Sequence, residues 1–252
     1  MWPWSRRRTS GPRWTVLTDV GRKRDHNEDA GAAIAGESGW GFDVALIVCD
    51  GVGGSARGEH ASSTTVDKLT AALARADGTP IAERLRAAIA ESNAELREYA
   101  RRELEGAAVG TTVVAAVVAG KMVTLAHAGD SRAYRIRGRA IEQLTADHSF
   151  VAEQVRAGLI LASEARDHPL RSRITRAVGM ADGDANPEIA EASLARDDVL
   201  LLCSDGLHGL VEDREMAAAV GKDLEKTARE LVALANARGG SDNVTVALYR
   251  AT

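Results

Sequence analysis

The residues of this chain best placed to do chemistry are aspartates at the ends of apolar runs. Ala45-Leu46-Ile47-Val48-Cys49 leads into Asp50-Gly51, and Val199-Leu200-Leu201-Leu202-Cys203-Ser204 into Asp205-Gly206. Uninterrupted apolar stretches of this length, bounded by Gly and charge, read as strands buried on both faces. A carboxylate at the end of such a strand is costly to desolvate unless positive charge compensates it. Two distant segments with the same ending point to a shared compensator, and a metal is the first candidate. Outside that chemistry, Asp-Gly after a strand is a turn. Three more aspartates stand at element boundaries: Asp29 after Asn27-Glu28, Asp130 in Gly129-Asp130-Ser131-Arg132, and Asp242 in Ser241-Asp242-Asn243. If antiparallel strands bring these ends to one edge, three to five carboxylates converge, a cluster that repels itself unless hard cations fill it. Oxygen-only ligation favours Mg2+ or Mn2+ over zinc, which would recruit Cys or His. Two such ions can hold a bridging water, lower its pKa and aim it at a phosphorus or carbonyl centre. Five separate turn or cap aspartates are the alternative, and spacing alone leaves both readings open.

Arg24, five residues before Asp29 in the same polar segment, is the best anion clamp among the basic residues. A guanidinium matches a phosphoryl group bidentately and stays charged at any working pH; beside Lys23 and Asp25 it could equally face solvent. Gly51, Gly53 and Gly54 lack the Lys-Ser/Thr of a Walker loop and the spacing of a dinucleotide fingerprint. They read as room for backbone to approach a metal-bound water, with Gly51 offering its carbonyl. His60, His127 and His148 are candidates by residue type only, with core packing or surface as the ordinary alternative.

The elements that must position these residues follow from periodicity. Strands are predicted at 14–19, 30–35 and 43–49, then helices at 58–74 and 81–103. The second helix carries Leu85, Ala88, Ile89, Ser92, Leu96 and Tyr99 on one face. Strands at 111–119 and 121–127 flank Gly120, and strands at 133–137 and 140–144 flank Gly138-Arg139, which suggests antiparallel hairpins. Residues 147–177 are polar with short helical patterns and read as an excursion from the core. The sheet resumes near Val199, helices follow at 213–220 and 224–237, and a strand at 243–249 closes the chain. Hairpin-linked strands with paired helices argue for α+β layers, not a parallel βαβ repeat. The two Asp-Gly runs are not an internal repeat, because Cys-to-Asp spacing differs by one residue and reverses the face.

Composition bounds the function classes. The 252 residues fit one large domain or two small ones, and no linker favours two. Only 4% of residues are aromatic, so the core must be built from Val, Leu, Ile and Ala. A net charge of −4 argues against a nucleic-acid surface. The basic cluster Arg6-Arg7-Arg8 reads as a solvated tail within an N-terminal extension, residues 1–13. Cys49 and Cys203 lie inside apolar runs, without zinc-type spacing or any sign of disulfide use. No apolar stretch is long enough to span a membrane, and the start lacks the apolar region of a signal peptide. A cytoplasmic location is expected.

The order of motifs resembles the bacterial type 2C metal-dependent protein phosphatases. Arg24-Asp25-His26-Asn27-Glu28-Asp29 comes first, then Asp50-Gly51-Val52-Gly53-Gly54 with Gly58-Glu59-His60-Ala61-Ser62. Gly110-Thr111-Thr112, Gly129-Asp130-Ser131-Arg132, Cys203-Ser204-Asp205-Gly206-Leu207 and Ser241-Asp242-Asn243-Val244-Thr245 complete it. The resemblance spans residues 14–249, and residues 14–250 are expected to form the catalytic domain. It implies a four-layer α-β-β-α sandwich, two antiparallel sheets flanked by helix pairs, with metals in a cleft at one end. By resemblance Asp50 bridges two Mn2+ or Mg2+ ions, Gly51 contributes its carbonyl, and Asp205 and Asp242 complete the ligand set. Asp29 acts mainly through water, Asp130 joins Asp205 at a third, weaker metal site, and Arg24 binds phosphate. Residues 147–177 correspond to a mobile flap, their His148-Ser149 and Arg173-Ile174-Thr175-Arg176-Ala177 stretches resembling family sequence.

The activity so implied is hydrolysis of phosphoserine and phosphothreonine by in-line attack of a metal-bridging hydroxide, with Asp50 and Arg24 as catalytic residues. The implied partners are phosphorylated proteins, a Ser/Thr kinase or its targets among them. One departure stands beside Asp50. Many eukaryotic relatives carry His there and many bacterial ones Met, whereas Val52 cannot donate a proton; a metal-bound water is left to protonate the departing oxygen. Two rivals are a non-catalytic phosphoprotein-binding regulator of the same fold and a two-metal phosphodiesterase. The first predicts missing metal carboxylates, and all five are present; the second sits poorly with the acidic balance.

Overall fold

Side-chain alternation along the apolar strands decides the architecture. The computed structural model describes residues 13–252 apart from 55, 106, 166 and 181–184; all of the predicted extension but Arg13, including Arg6-Arg7-Arg8, lies outside the described residues. In chain order the strands β1 (Trp14–Asp19), β2 (Asp29–Ala35) and β3 (Val44–Val52) precede the helices α1 (Ala56–Leu73) and α2 (Ile81–Glu103). Then come β4 (Gly110–Thr111), β5 (Val113–Ala119), β6 (Met122–Ala128), β7 (Arg132–Arg137) and β8 (Ala140–Gln143). Two short helices, α3 (Phe150–Arg156) and α4 (Ala162–Ala165), are followed by β9 (Glu188–Ser193) and β10 (Val199–Cys203). The helices α5 (Asp205–His208), α6 (Asp213–Ala219) and α7 (Leu224–Ala237) lead to β11 (Val244–Arg250).

One sheet has the order β1-β11-β10-β7-β8, the other β2-β3-β5-β6-β9 with β4 added on β3. Every pairing in them is antiparallel. On β3, Val44, Leu46 and Val48 turn one way, and with Val114, Ala116, Leu200 and Leu202 they fill the layer between the sheets. Ala45, Ile47 and Cys49 turn the other way, under Leu69 of α1 and Leu85 and Ile89 of α2. Val199, Leu201 and Cys203 do the same beneath Met216 of α6 and Leu231 of α7. The result is the α-β-β-α sandwich, held by strands buried on both faces. Each fully buried Leu or Ile contributes roughly 1.5–3 kcal/mol.

Both predicted hairpins form, β5–β6 turning at Gly120 and β7–β8 at Gly138, each with positive φ. Two elements escape the sequence pattern. β9 is an edge strand built of Glu, Ala, Ile and Ser, paired only with β6, and Glu and Ala carry little strand preference. α5 is a four-residue helix opened by Asp205 itself. Residues 147–177 leave the sheets as predicted. The segment is closed at its base by bridges from Ser149 to Ile174 and from Thr111 to Val178. A bidentate Arg132–Asp147 pair, 2.8 and 2.7 Å, fixes its first residue to β7.

Candidate metal centre

Parity carries two of the aspartates to the same place. Asp50 continues the Val44, Leu46, Val48 series of β3, so its side chain emerges at the end of the inter-sheet layer. Asp29 is its cross-strand partner on β2, in step with Ala33, which packs in that same layer. Asp29 Oδ2 accepts a hydrogen bond from Ser204 Oγ of the opposite sheet at 2.7 Å, and Ser204 Oγ accepts the Thr245 N–H at 2.9 Å. The other carboxylate oxygen, Asp29 Oδ1, is buried without a hydrogen-bond partner among the described residues.

The remaining carboxylates arrive from turns. β10 stops at Cys203 and Asp205 opens α5, so this Asp-Gly is a helix start whereas Asp50-Gly51 stays within its strand. A Cβ on Gly206 would come within 2.0 Å of the Asn243 carbonyl oxygen. Only glycine lets α5 lie against the start of β11, the contact that sets Asp205 beside Asp242. Asp130 follows β6, and its carbonyl accepts the Nε2–H of His208 from α5 at 3.0 Å. Asp242 Oδ1 accepts the Asn243 N–H at 2.9 Å, and Oδ2 accepts Arg24 Nη2 at 2.8 Å.

A cleft of about 250 Å³ opens at this end of the sandwich, lined by Arg24, Glu28, Asp50, Gly51, Val52, Gly53, Gly54, Thr112, Asp130, Ser172, Ile174, Asp205, Asp242 and Asn243. Asp29 is not among the lining residues. Glu28, its neighbour, takes that position, and sequence reasoning had treated Glu28 only as context for Asp29. Thr112 and Asn243 were likewise passed over. Thr112 Oγ1 accepts the Asp50 N–H at 3.0 Å and pairs with Ser131 Oγ at 2.7 Å, linking the backbones that carry Asp50 and Asp130. The signal available for these was their place within the quoted motifs. A second hollow of about 260 Å³ beneath residues 147–177 shares Asp130, Ser172 and Asp205 with the cleft.

The electrostatics of the cluster are those of too many anions. Burial, then Asp205 and Asp147, pushes the Asp130 carboxyl up to about 8. Burial raises Asp29 to about 7 against the opposing bond from Ser204, and burial with the Asp242 charge raises Asp205 to about 6. Asp50 is driven well above the usual carboxylate range by burial and by Asp29, Asp205, Asp130 and Asp242 in turn. Among the described residues that line the cleft, Arg24 is the one counter-charge. An all-oxygen donor set, more negative than it can sustain alone, with an orphaned buried oxygen behind it, fits hard divalent cations.

The histidines lie elsewhere. His60 packs on Tyr99, ring centroids 4.3 Å apart. His127 and His148 stack at 4.4 Å with planes 12° apart, and with Glu188 their ligand atoms lie within 4.8 Å of one another. An imidazole lone pair lies in the ring plane, so a single ion cannot sit in both of two stacked planes. Arg176 Nη1, 3.1 Å from His148 Nε2, adds positive charge at the same spot. The pair works as a neutral clasp: His127 Nε2–H donates to the Ala146 carbonyl at 2.9 Å and His148 Nδ1 accepts the Gly129 N–H at 3.2 Å. Burial, then His127, holds His148 down at about 4.

Likeness to known proteins extends over most of the chain. The protein phosphatase 2C family model matches residues 21–244. The serine/threonine phosphatase Stp of Listeria monocytogenes is 37% identical over 237 residues, 92% of each chain. The S. agalactiae serine/threonine phosphatase superposes with a TM-score of 0.87 at 32% identity, covering 95% of this chain and 99% of that one. The catalytic domain of the phosphatase PstP, solved in complex with two manganese ions, superposes at 0.81 and 32% identity, covering 94% and 97%.

Proposed function

The chain belongs to the protein phosphatase 2C family, and from that premise we propose that it is a metal-dependent protein serine/threonine phosphatase whose residues 14–250 form the catalytic unit. The observation that carries this reading is the convergence of Asp50, Asp130, Asp205 and Asp242 with Arg24 on one cleft. We assign Asp50, Asp205, Asp242 and the Gly51 carbonyl to a pair of Mn2+ or Mg2+ ions; the PstP catalytic domain, to which this chain is similar, is solved in complex with two manganese ions. Asp130 with Asp205 is assigned to a third, weaker ion, and Asp29 to an indirect role behind Asp50, where it bonds Ser204. When bound, such ions lower the pKa of a coordinated water and neutralise phosphoryl charge.

The chain's own residues do the rest. Arg24 uses one N–H on Asp242, and the remaining guanidinium donors are available to orient a phosphoryl oxygen. Glu28, Thr112 and Asn243 fix the backbone around the carboxylates, so that positioning and electrostatics supply most of the rate. Val52, 42% exposed at the cleft, contributes no proton. Residues 147–177 are assigned as a flap, through Ser172 and Ile174 at the cleft wall.

Phosphoproteins are the substrates, and a Ser/Thr kinase or its targets is the proposed physiological partner. Among the described residues no helix is long and apolar enough to cross a membrane; we place the enzyme in the cytoplasm. Purified protein is expected to hydrolyse a phosphothreonine peptide with added Mn2+ and to stop on adding EDTA. Activity that survives chelation would overturn the reading. A deletion strain whose kinase phosphorylation is unchanged would remove the proposed partner and leave the enzyme activity standing.

A further inference from the structure

We infer that Asn243 is the positioning residue that sets the span between the phosphate clamp Arg24 and the metal carboxylates, an inference that rests on the phosphatase reading above. Arg24 stands in the irregular segment between β1 and β2, residues 20–28. Such backbone has no ladder to hold it, so its buried polar groups must find partners elsewhere. Gly51 N–H and Ser62 Oγ–H meet the Glu28 carbonyl at 3.2 and 2.6 Å, and three further groups meet one side chain. Asn243 Oδ1 accepts the Glu28 N–H at 2.8 Å, and Nδ2 donates to the Val20 and His26 carbonyls, each at 2.9 Å. One primary amide, 5% exposed, thereby ties both ends of the segment to the residue that follows Asp242.

No common replacement does this. Ionised Asp keeps the shape but has no N–H for two carbonyls, and Ser offers one donor on a shorter stem. The segment also touches this strand start directly: Arg22 N–H donates to the Gly240 carbonyl at 2.8 Å. Gly21, at φ +81°, lies where a Cβ would come within 2.2 Å of the Asp242 carbonyl oxygen. Arg24 itself is half exposed and, among the described residues, makes one hydrogen bond, to Asp242. Its guanidinium therefore stands where the segment's backbone puts it. Asp242 has its own anchor in the Asn243 backbone N–H, which a side-chain substitution leaves in place. Loss of the Asn243 amide should thus move the clamp and spare the metal ligands.

The test uses the full chain, with Asn243→Asp altering the segment from the strand side and Gly21→Ala from the loop side. Arg84→Met serves as a destabilised control; Arg84 bonds the Thr79, Trp40 and Leu73 carbonyls and does not line the cleft. Four quantities are measured: KM on a phosphothreonine peptide, Ki for inorganic phosphate, Mn2+ affinity by calorimetry, and Tm. Asn243→Asp is expected to raise KM and Ki about tenfold while Mn2+ affinity stays within about twofold, because a small misplacement of a positioning group is felt strongly. Gly21→Ala, which presses on the Asp242 carbonyl itself, is expected to raise Ki by more than its loss of Mn2+ binding accounts for. Arg84→Met should lower Tm and leave Ki alone. The inference is overturned if Asn243→Asp keeps KM and Ki within about twofold of wild type, or if Ki rises only in step with lost Mn2+ binding. If Asn243→Asp does not fold, the same readings on Gly21→Ala decide. Wild-type protein with no Mn2+-dependent hydrolysis would instead overturn the phosphatase reading.

Discussion

Burial and four other aspartates, Asp29, Asp205, Asp130 and Asp242, raise the pKa of Asp50. Removing its charge should therefore act in opposite directions on two measurements. Asp50→Asn is expected to lower Mn2+-dependent turnover by at least about 100-fold, since the group proposed to bridge the ions is gone. In EDTA the same variant should melt higher than wild type, because one buried and mutually repelled carboxylate has become a neutral amide. A lower Tm in EDTA would contradict the repulsion argument. Arg24→Ala should raise the phosphate Ki and leave Mn2+ affinity alone; equal loss of both would remove its assigned role. At this scale the sequence was legible where a rule about strand ends applied, which yielded Asp50, Asp130, Asp205 and Asp242. Glu28 and Asn243 were not, because their meaning lies in each other: they bond across 215 positions of chain. The spacing that nominated Asp29 could not tell a carboxylate facing the cleft from one buried beneath it.

At the scale of elements, uninterrupted apolar runs could be read as strands because both faces of β3, β5 and β10 are covered. β9 could not, because an edge strand with one neighbour can tolerate Glu and Ala at most positions. α5 was missed for a different reason: a helix of four residues carries no periodicity. Yet α5 decides how near Asp205 comes to Asp242, through the approach of Gly206 to the Asn243 carbonyl. Gly206→Ala is accordingly expected to cost about 1–3 kcal/mol in denaturant unfolding, as overpacking against backbone does. It should also weaken Mn2+ binding, since α5 must back away from β11. A variant that unfolds more easily but titrates Mn2+ like wild type would show that α5 moves without carrying Asp205 off, and would break this link between packing and site.

Over the whole molecule, the carboxylate cluster and the buried histidines give stability opposite dependences on pH. Asp130, Asp29 and Asp205 titrate near 8, 7 and 6 in the folded chain, above the ordinary 3.8. Between those values the metal-free fold keeps protons that the unfolded chain has released, so their contribution is complete below about pH 4 and declines as pH rises toward 8. The histidines oppose this: His148 near 4 and His208 near 3 lie below the ordinary 6.5. The unfolded chain binds those protons first, and stability from this source grows until about pH 6.5 and then levels off. Asp147 and Asp198, whose pKa values lie below 3.8 beside Arg132 and Arg137, have finished titrating well before that. Above about pH 6.5 the cluster is left to set the slope. Tm in EDTA should therefore fall between pH 6.5 and 8.5, while Mn2+, which binds the ionised carboxylates, should offset the fall. The rise in Tm on adding Mn2+ should then grow with pH across this window. Melting curves with and without metal, at matched ionic strength, measure it directly. A Mn2+ effect of constant size from pH 6.5 to 8.5 would mean that proton release from these aspartates is not coupled to metal binding, and that the ions are held by groups already ionised.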